Sequence, residues 1–328
     1  MTSTLQFNND TALAYLLDGN GGAREFDANE VASWAPQDGN LWVHINYSNI
    51  AETEWLTDSS GLDPLIVEAL LAEETRPRAT AIGDGLLIAL RGVNLNPGAD
   101  PEDMVSIRLW IDNTRIVTSR KRNLISVSDL IKEFSLNRGP CSSAEFLVEL
   151  VDKLVLRMSD TVDQFEDRVA ELEEQVLAAE SSSLRKELAA LRRQAIAIRR
   201  YLAPEREALS RLIGEKISWL DDGSRLRLRE VSDRLIRHIE DIDAVRERAA
   251  VTQEELQSRL SEQINTRMYV LSVVAAIFLP LGFLTGLLGI NVGGIPGAEY
   301  PHAFLVFIGM LVFVVALQVF LFRWKKWM

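Results

Sequence analysis

The 328-residue sequence is poor in the residues that build self-contained metal centres, with one cysteine, Cys141, and three histidines. No Cys or His cluster has zinc-finger spacing, which excludes a finger folded around its own metal. A lone cysteine cannot staple a fold and suits a reducing compartment. Positive charge is also in deficit. Against 47 Asp and Glu stand 35 Lys and Arg, a formal net charge of -12, so nucleic-acid phosphates would be repelled and cations attracted. Met1 to Asp10 has no basic segment followed by an apolar one, and no export signal is read there. A Gly-rich phosphate loop, a His-Glu-x-x-His pair and a serine elbow are missing, and Gly19 to Gly22 lacks the strand and helix of a nucleotide fingerprint. These absences argue against an enzyme and against a resident cofactor.

Two long apolar runs stand at the C-terminal end. Met268 to Gly289 and Ala303 to Phe322 carry no charged side chain, and at about 20 residues each is long enough to cross a hydrocarbon core as a helix. The connector between them, Ile290 to His302, is too short for a domain and turns the chain round. Arg323, Trp324, Lys325, Lys326 and Trp327 make a basic, aromatic end, whereas the connector has no Lys or Arg and one acid, Glu299. By the positive-inside rule the tail is cytoplasmic and the connector faces out. A helical hairpin then puts everything before Met268 on the cytoplasmic side, so both termini are expected there.

Residues 1–140 read as mixed α/β. β-rich runs occur at Ala12 to Leu17, Leu41 to Tyr47, Leu86 to Leu95, Val105 to Ile111 and Thr114 to Ser119. The last two meet at Asp112-Asn113, a hairpin signal, and Gly83-Asp84-Gly85 turns into the third run. Asp63-Pro64 places an N-cap before a proline at the first helical position, which predicts a helix over Leu65 to Ala72. A second helix is expected from Leu124 to Phe134. Together these predict a sheet of a few strands flanked by helices, with antiparallel portions.

Residues 141–267 read as a helical stalk. Ser143 to Ala179 and Leu184 to Ile213 predict two long helices, separated at Ser181-Ser182-Ser183 and ended near Gly214. The first is acidic from Asp160 to Glu180 and the second is rich in arginine. An antiparallel pair with opposite charges facing is expected, and a solvated acidic face open to cations is the other reading. A third helix follows Asp221-Asp222-Gly223-Ser224 and meets no Pro or Gly before Pro280. Its heptad runs through Leu228, Val231, Leu235, His238, Ile242, Val245, Ala249, Thr252 and Leu256, the seam of a helix that packs on partners. His238 on that seam is either a packing residue or one member of a symmetric ring of metal ligands.

Two membrane helices cannot enclose a pore, but several copies around an axis can, and symmetry turns each axis-facing residue into a ring. Asn265, Met268, Leu271, Ala275, Leu279 and Gly282 recur every three or four residues and form one stripe. As a pore face the stripe has a polar amide at Asn265 and an apolar constriction at Met268 and Leu271 that closes by dewetting. As a contact face it is an ordinary packing stripe containing small residues. Beyond it, Thr285-Gly286-Leu287-Leu288-Gly289-Ile290-Asn291 is rich in poor helix formers, so the helix should end near Gly289 with Asn291 at the mouth. Repeated by symmetry, the Asn291 carbonyl would hydrogen-bond the water shell of an entering cation. Glu299 would raise the local cation concentration, or simply be solvated.

Gly289-Ile290-Asn291 after a Phe278-Leu279-Pro280-Leu281 segment, two C-terminal membrane segments and a large N-terminal part resemble the CorA-like divalent-cation transporters. Within them the sequence is most similar to the ZntB zinc-transporter branch. Asn291-Val292-Gly293-Gly294-Ile295-Pro296-Gly297 stands where the magnesium branch typically has a Met-Pro-Glu-Leu loop. Leu41-Trp42-Val43-His44-Ile45-Asn46-Tyr47, Glu74-Thr75-Arg76-Pro77-Arg78, Leu90-Arg91-Gly92-Val93-Asn94-Leu95-Asn96 and Asp103-Met104-Val105-Ser106-Ile107-Arg108-Leu109-Trp110 also carry the likeness.

The resemblance implies an α+β membrane protein that assembles as a funnel-shaped homopentamer in the bacterial inner membrane. Its parts would be a cytoplasmic α/β domain (1–140), a helical stalk (141–267), a pore-lining first transmembrane helix (268–289), a periplasmic loop (290–302), a second transmembrane helix (303–322) and a basic tail (323–328). Gly289, Ile290 and Asn291 would be the selectivity signature, and Asn265, Met268, Leu271, Ala275, Leu279 and Gly282 the pore positions. Gly282 stands where the magnesium branch has a threonine, which removes a polar ring. Zinc would be the transported ion, coupled to protons, and would be a substrate and not a cofactor. Ligands suited to a softer metal are confined to His44, His238, His302, Cys141 and Met268, of which His238 and His302 are the candidate metal contacts. The alternative is a magnesium, cobalt or nickel channel of the same architecture, with cadmium among the divalent cations in scope. A membrane-anchored coiled-coil sensor is more distant, because only a six-residue tail follows Phe322.

Overall fold

The computed structural model of the chain describes residues 12–73, 75–178, 182–289, 297 and 300–325. The chain forms two compact units, one up to Glu254 and one from Glu255 onward. The first opens with β1 (Leu13–Leu17), β2 (Ala23–Glu25), α1 (Ala28–Ser33), β3 (Leu41–Asn46), α2 (Ile50–Asp58), α3 (Pro64–Leu71), β4 (Arg78–Ile82), β5 (Gly85–Gly92), β6 (Val105–Ile111), β7 (Arg115–Arg120) and α4 (Ile125–Ser135). The strands make one sheet in the order β2-β1-β3-β7-β6-β5-β4. It is antiparallel except where β3 runs beside β7, with Leu41 opposite Arg115.

All five expected strands form, and β2 and β4 are added at the two edges. Turn chemistry fixes the register. Asp112 Oδ1 accepts from the N–H groups of Thr114 (2.9 Å) and Arg115 (2.8 Å), which closes the β6–β7 hairpin. Between β4 and β5, Ile82 pairs with Gly85, and Gly83 takes a φ of 61° in the two-residue turn. The expected cap of α3 is present, with Asp63 Oδ1 accepting from Leu65 N at 2.8 Å.

β3 reads as an unbroken apolar run because both of its faces are covered. Leu41, Val43 and Ile45 enter a core with Trp55 and Leu56 of α2 and Ile66, Val67 and Leu70 of α3. Trp42 points the other way, onto Phe134 of α4 and Phe146 in the next helix. His44 shares that second face and is wholly buried. Arg120 Nε donates to His44 Nε2 at 2.8 Å, so the ring proton sits on Nδ1 and is given to Thr118 Oγ1 at 2.7 Å. Burial, helped by the Arg120 guanidinium, holds His44 down at about 3. Glu52 lies nearby; Asn46 N donates to its Oε2 at 2.5 Å, and burial raises its carboxyl against the pull of that bond and of Arg120.

Three long helices follow, α5 (Ser143–Ala178), α6 (Ser182–Gly214) and α7 (Asp222–Leu288). All nine heptad positions of α7 from Leu228 to Leu256 are buried. At about 1.5–3 kcal/mol for each large apolar side chain, that seam supplies much of the helical packing. Its neighbours in this unit are helices of the same chain: α7 meets α5 through Arg227–Glu149 (2.6 Å), Arg234–Asp152 (2.8 Å) and Arg248–Glu173 (2.6 Å), and α6 through Asp243–Arg199 (2.6 Å). This corrects the expected charge pairing. Acids of α5 meet arginines of α7, and the described ion pair between α5 and α6 is Arg168–Glu187, with the signs reversed. The reason is that α6 lies along β4 and β5, covering an edge strand. From α6, Glu205 is buried against the sheet and accepts from Arg91 N at 3.2 Å. Burial pushes its carboxyl up to about 8, against the pull of the Arg91 amide and guanidinium, so it is held protonated at neutral pH.

Candidate functional site

The second unit contains the distal part of α7 and α8 (Ala303–Trp324). Both helices are long and apolar enough to cross a membrane, and none of either apolar window is buried within the chain. The core helix of a soluble protein of this length would be largely covered.

Asn265, Met268, Leu271, Ala275, Leu279 and Gly282 are all exposed. Val273, Ile277, Pro280 and Leu284 are partly buried, and at 100° per residue their line lies roughly 160° round the helix from the first stripe. A single chain therefore partly covers one line of α7 and leaves the rest of the helix bare, the Asn265-to-Gly282 side together with Val270, Val274, Phe278 and Phe283. The same count carries the bare stripe on through Gly286 and Gly289, of which the first was not among the expected positions. A side chain at Gly282 or Gly286 would meet nothing within 4 Å.

Gly289 has a local reason to be glycine. It closes the last turn of α7 with its N–H on the Thr285 carbonyl at 2.9 Å, and a Cβ there would lie 2.7 Å from that oxygen. Such a distance is closer than real side chains approach, so alanine would displace the backbone at the end of α7. Ile290, Asn291 and Glu299 lie outside the described residues.

The remaining candidates are dispersed. His238 is buried on the α7 seam with Nε2 3.3 Å from Ser159 Oγ of α5, and burial lowers its pKa. His302 stands at the start of α8 with its ring edge-on to Tyr300, centroids 5.8 Å apart. Cys141 is half-buried, and its amide donates to Glu145 Oε2 at 2.8 Å. Among the described residues no group of three or more His, Cys, Asp or Glu gathers as metal ligands would. One polar link was not legible from spacing: Gln318 of α8 donates from Nε2 to the Ala276 carbonyl of α7 at 3.1 Å. Its only sequence signal is an amide within an apolar run.

Known proteins share this organisation over nearly the whole chain. The profile described as CorA-like Mg2+ transporter protein matches residues 37–326. The divalent cation transporter CmaX of Pseudomonas aeruginosa is 39% identical over 324 residues, covering 96% of each chain. The zinc transport protein ZntB of Yersinia enterocolitica is 36% identical over 319 residues, covering 97% of this chain and 96% of the relative. The structure of full-length CmaX superposes with a TM-score of 0.86 at 38% identity, over 98% of this chain and 100% of the other. A seven-stranded α/β unit, one long helix that runs into an apolar stretch, and a second apolar helix after it place the chain in the CorA-like transporter family.

Proposed function

We propose that the chain carries zinc across the bacterial inner membrane as a homopentamer, with both termini cytoplasmic and proton movement coupled to transport. Residues 1–140 and 141–267 form the cytoplasmic α/β domain and stalk, 268–289 line the pore, 290–302 are the periplasmic loop, and 303–322 form the outer helix before the 323–328 tail. The observation that carries this reading is the bare stripe on α7. A membrane helix that leaves Asn265, Met268, Leu271, Ala275, Leu279 and Gly282 uncovered, while its other side is partly covered, suits copies of itself around an axis with α8 outside. Asn265 then offers an amide ring at the cytoplasmic end, and Met268 and Leu271 form a constriction that empties of water when narrow.

At the outer end Gly289, Ile290 and Asn291 act as the selectivity signature. The Asn291 amides hold the hydrated ion, and Glu299 raises the cation concentration outside them. Zinc is favoured by the relatives named as zinc transport proteins and by Met268, whose thioether suits a softer cation than magnesium does. The family description favours magnesium as the second reading, because an asparagine ring discriminates weakly between two hydrated ions of equal charge.

Flux in proteoliposomes separates these readings. Zinc entry is expected above that of empty vesicles, with a rate that changes under an imposed pH gradient and a lumenal pH that moves with it. Magnesium flux beside zinc flux at the empty-vesicle level would overturn zinc as the substrate, and a flat pH signal during zinc flux would reject proton coupling.

A further inference from the structure

Pro280 lies within the apolar stretch of α7, and the helix runs through it to Leu288. Proline has no N–H, so the carbonyl four residues earlier, that of Ala276, loses its intrahelical donor. That is the carbonyl to which Gln318 donates, at 3.1 Å. Between Ala303 and Phe322, Gln318 is the one side chain that carries an amide or a charge. An amide in hydrocarbon is unfavourable unless it finds a partner, as is an orphaned carbonyl. Here the Gln318 NH2 and the Ala276 carbonyl satisfy each other. Among the described residues Gln318 Oε1 has no hydrogen-bond partner, so the contact is made through the donor end alone.

The first unit supplies a contrast. Pro204 interrupts α6 in the same way, which frees the carbonyl of Arg200, but Arg200 is exposed and water can serve it. In a bilayer no water is available, and the donor must come from protein. A proline gap is also where a helix bends. Leu279 and Gly282 lie one and two residues from Pro280, so a bend there would set their position.

We propose that Gln318 is a positioning residue for transport: its amide fills the gap that Pro280 opens in α7, and so holds the pore-side stripe at a fixed angle to α8. The transport half of this statement rests on the proposed function; the pairing of the two helices does not. Loss of the donor frees the hinge, lets the constriction drift and slows transport. Supplying the missing N–H from α7 itself makes the glutamine dispensable.

The test uses the full-length protein in liposomes with Gln318→Met, Pro280→Ala and the double variant. Methionine keeps the length of the side chain and removes the donor. Zinc flux is measured beside hydrogen exchange of the amides of residues 277–284. Gln318→Met is expected to reduce flux by about tenfold, the scale of one interhelical side-chain hydrogen bond, and to speed exchange over that segment. The double variant is expected to return to within about twofold of Pro280→Ala alone in both readouts. Additive losses in the double variant, or no change in flux and exchange for Gln318→Met, would overturn the proposal. If wild-type protein moves neither zinc nor magnesium, the transport reading fails, and the exchange data still decide whether the glutamine and the proline act as a pair.

Discussion

Asn291→Ala is expected to reduce zinc flux in proteoliposomes by at least about 100-fold, to the level of empty vesicles, while the assembled mass in lipid stays that of wild type. A hydrated divalent cation at the mouth of a pore must exchange part of its outer water for protein oxygens that hold it loosely enough to release. In the proposed pentamer, one asparagine per chain would give a ring of amide carbonyls. Each hydrogen bond from the ion's water shell is worth about 0.5–1.5 kcal/mol, and at tenfold for about 1.4 kcal/mol the loss of several together removes two or more orders of magnitude. Alanine keeps the backbone and removes the oxygen, so assembly has no reason to change. Flux within threefold of wild type would mean that the signature does not touch the ion. Loss of the assembly together with flux would assign Asn291 to packing.

The second large effect is expected in the sheet. Arg120→Met should destabilise β3 and β7 by about 3 kcal/mol, read as faster hydrogen exchange of those strands in the full-length protein. Methionine fills similar volume but leaves His44 Nε2 without its donor and the buried Glu52 carboxyl without its neighbouring positive charge. An unsatisfied buried acceptor costs about 1–3 kcal/mol, and an uncompensated buried charge more. The same site sets an acid limit. The folded chain holds His44 at about 3 against an ordinary value near 6.5, so between those values the unfolded chain binds the extra proton. Stability from this group is therefore complete above about pH 6.5 and falls as pH falls towards 3. Strand exchange that is the same in the variant and in wild type at pH 7.5 would show that the network is not what holds β3 to β7.

What the sequence discloses follows the range of the interaction. The α3 cap at Asp63-Pro64 and the turn at Asp112-Asn113 depend on neighbours a few residues away, and both form as expected. The heptad of α7 is equally plain, because a period of seven depends only on which side of a helix is covered. β2 and β4 are not legible. Ala-Arg-Glu and Arg-Ala-Thr-Ala-Ile have weak strand preference, and they form because β1, β5 and α6 are there to receive them. The misassigned charge pairing of α5 has the same origin: acid beside arginine in sequence suggests a hairpin, but three helices and a sheet compete for each face. In the membrane unit the bare stripe is visible by counting. The link from Gln318 to Ala276 is not, since it joins residues 42 apart and is understood only once Pro280 is seen to withhold an N–H.

If one side of α7 faces water along a shared axis, a cysteine scan along the helix will find it. Cys141 is the single native cysteine, so a Cys141→Ser background gives a clean scan of residues 265–286 with a charged, membrane-impermeant thiol reagent. Modification at Asn265, Met268, Leu271, Ala275, Leu279 and Gly282 is expected to block zinc flux, and cysteines at Val273, Ile277 and Leu284 are expected to leave it unchanged. Block that follows the Val273 side, or the same response at every position, would contradict a pore lined by this stripe.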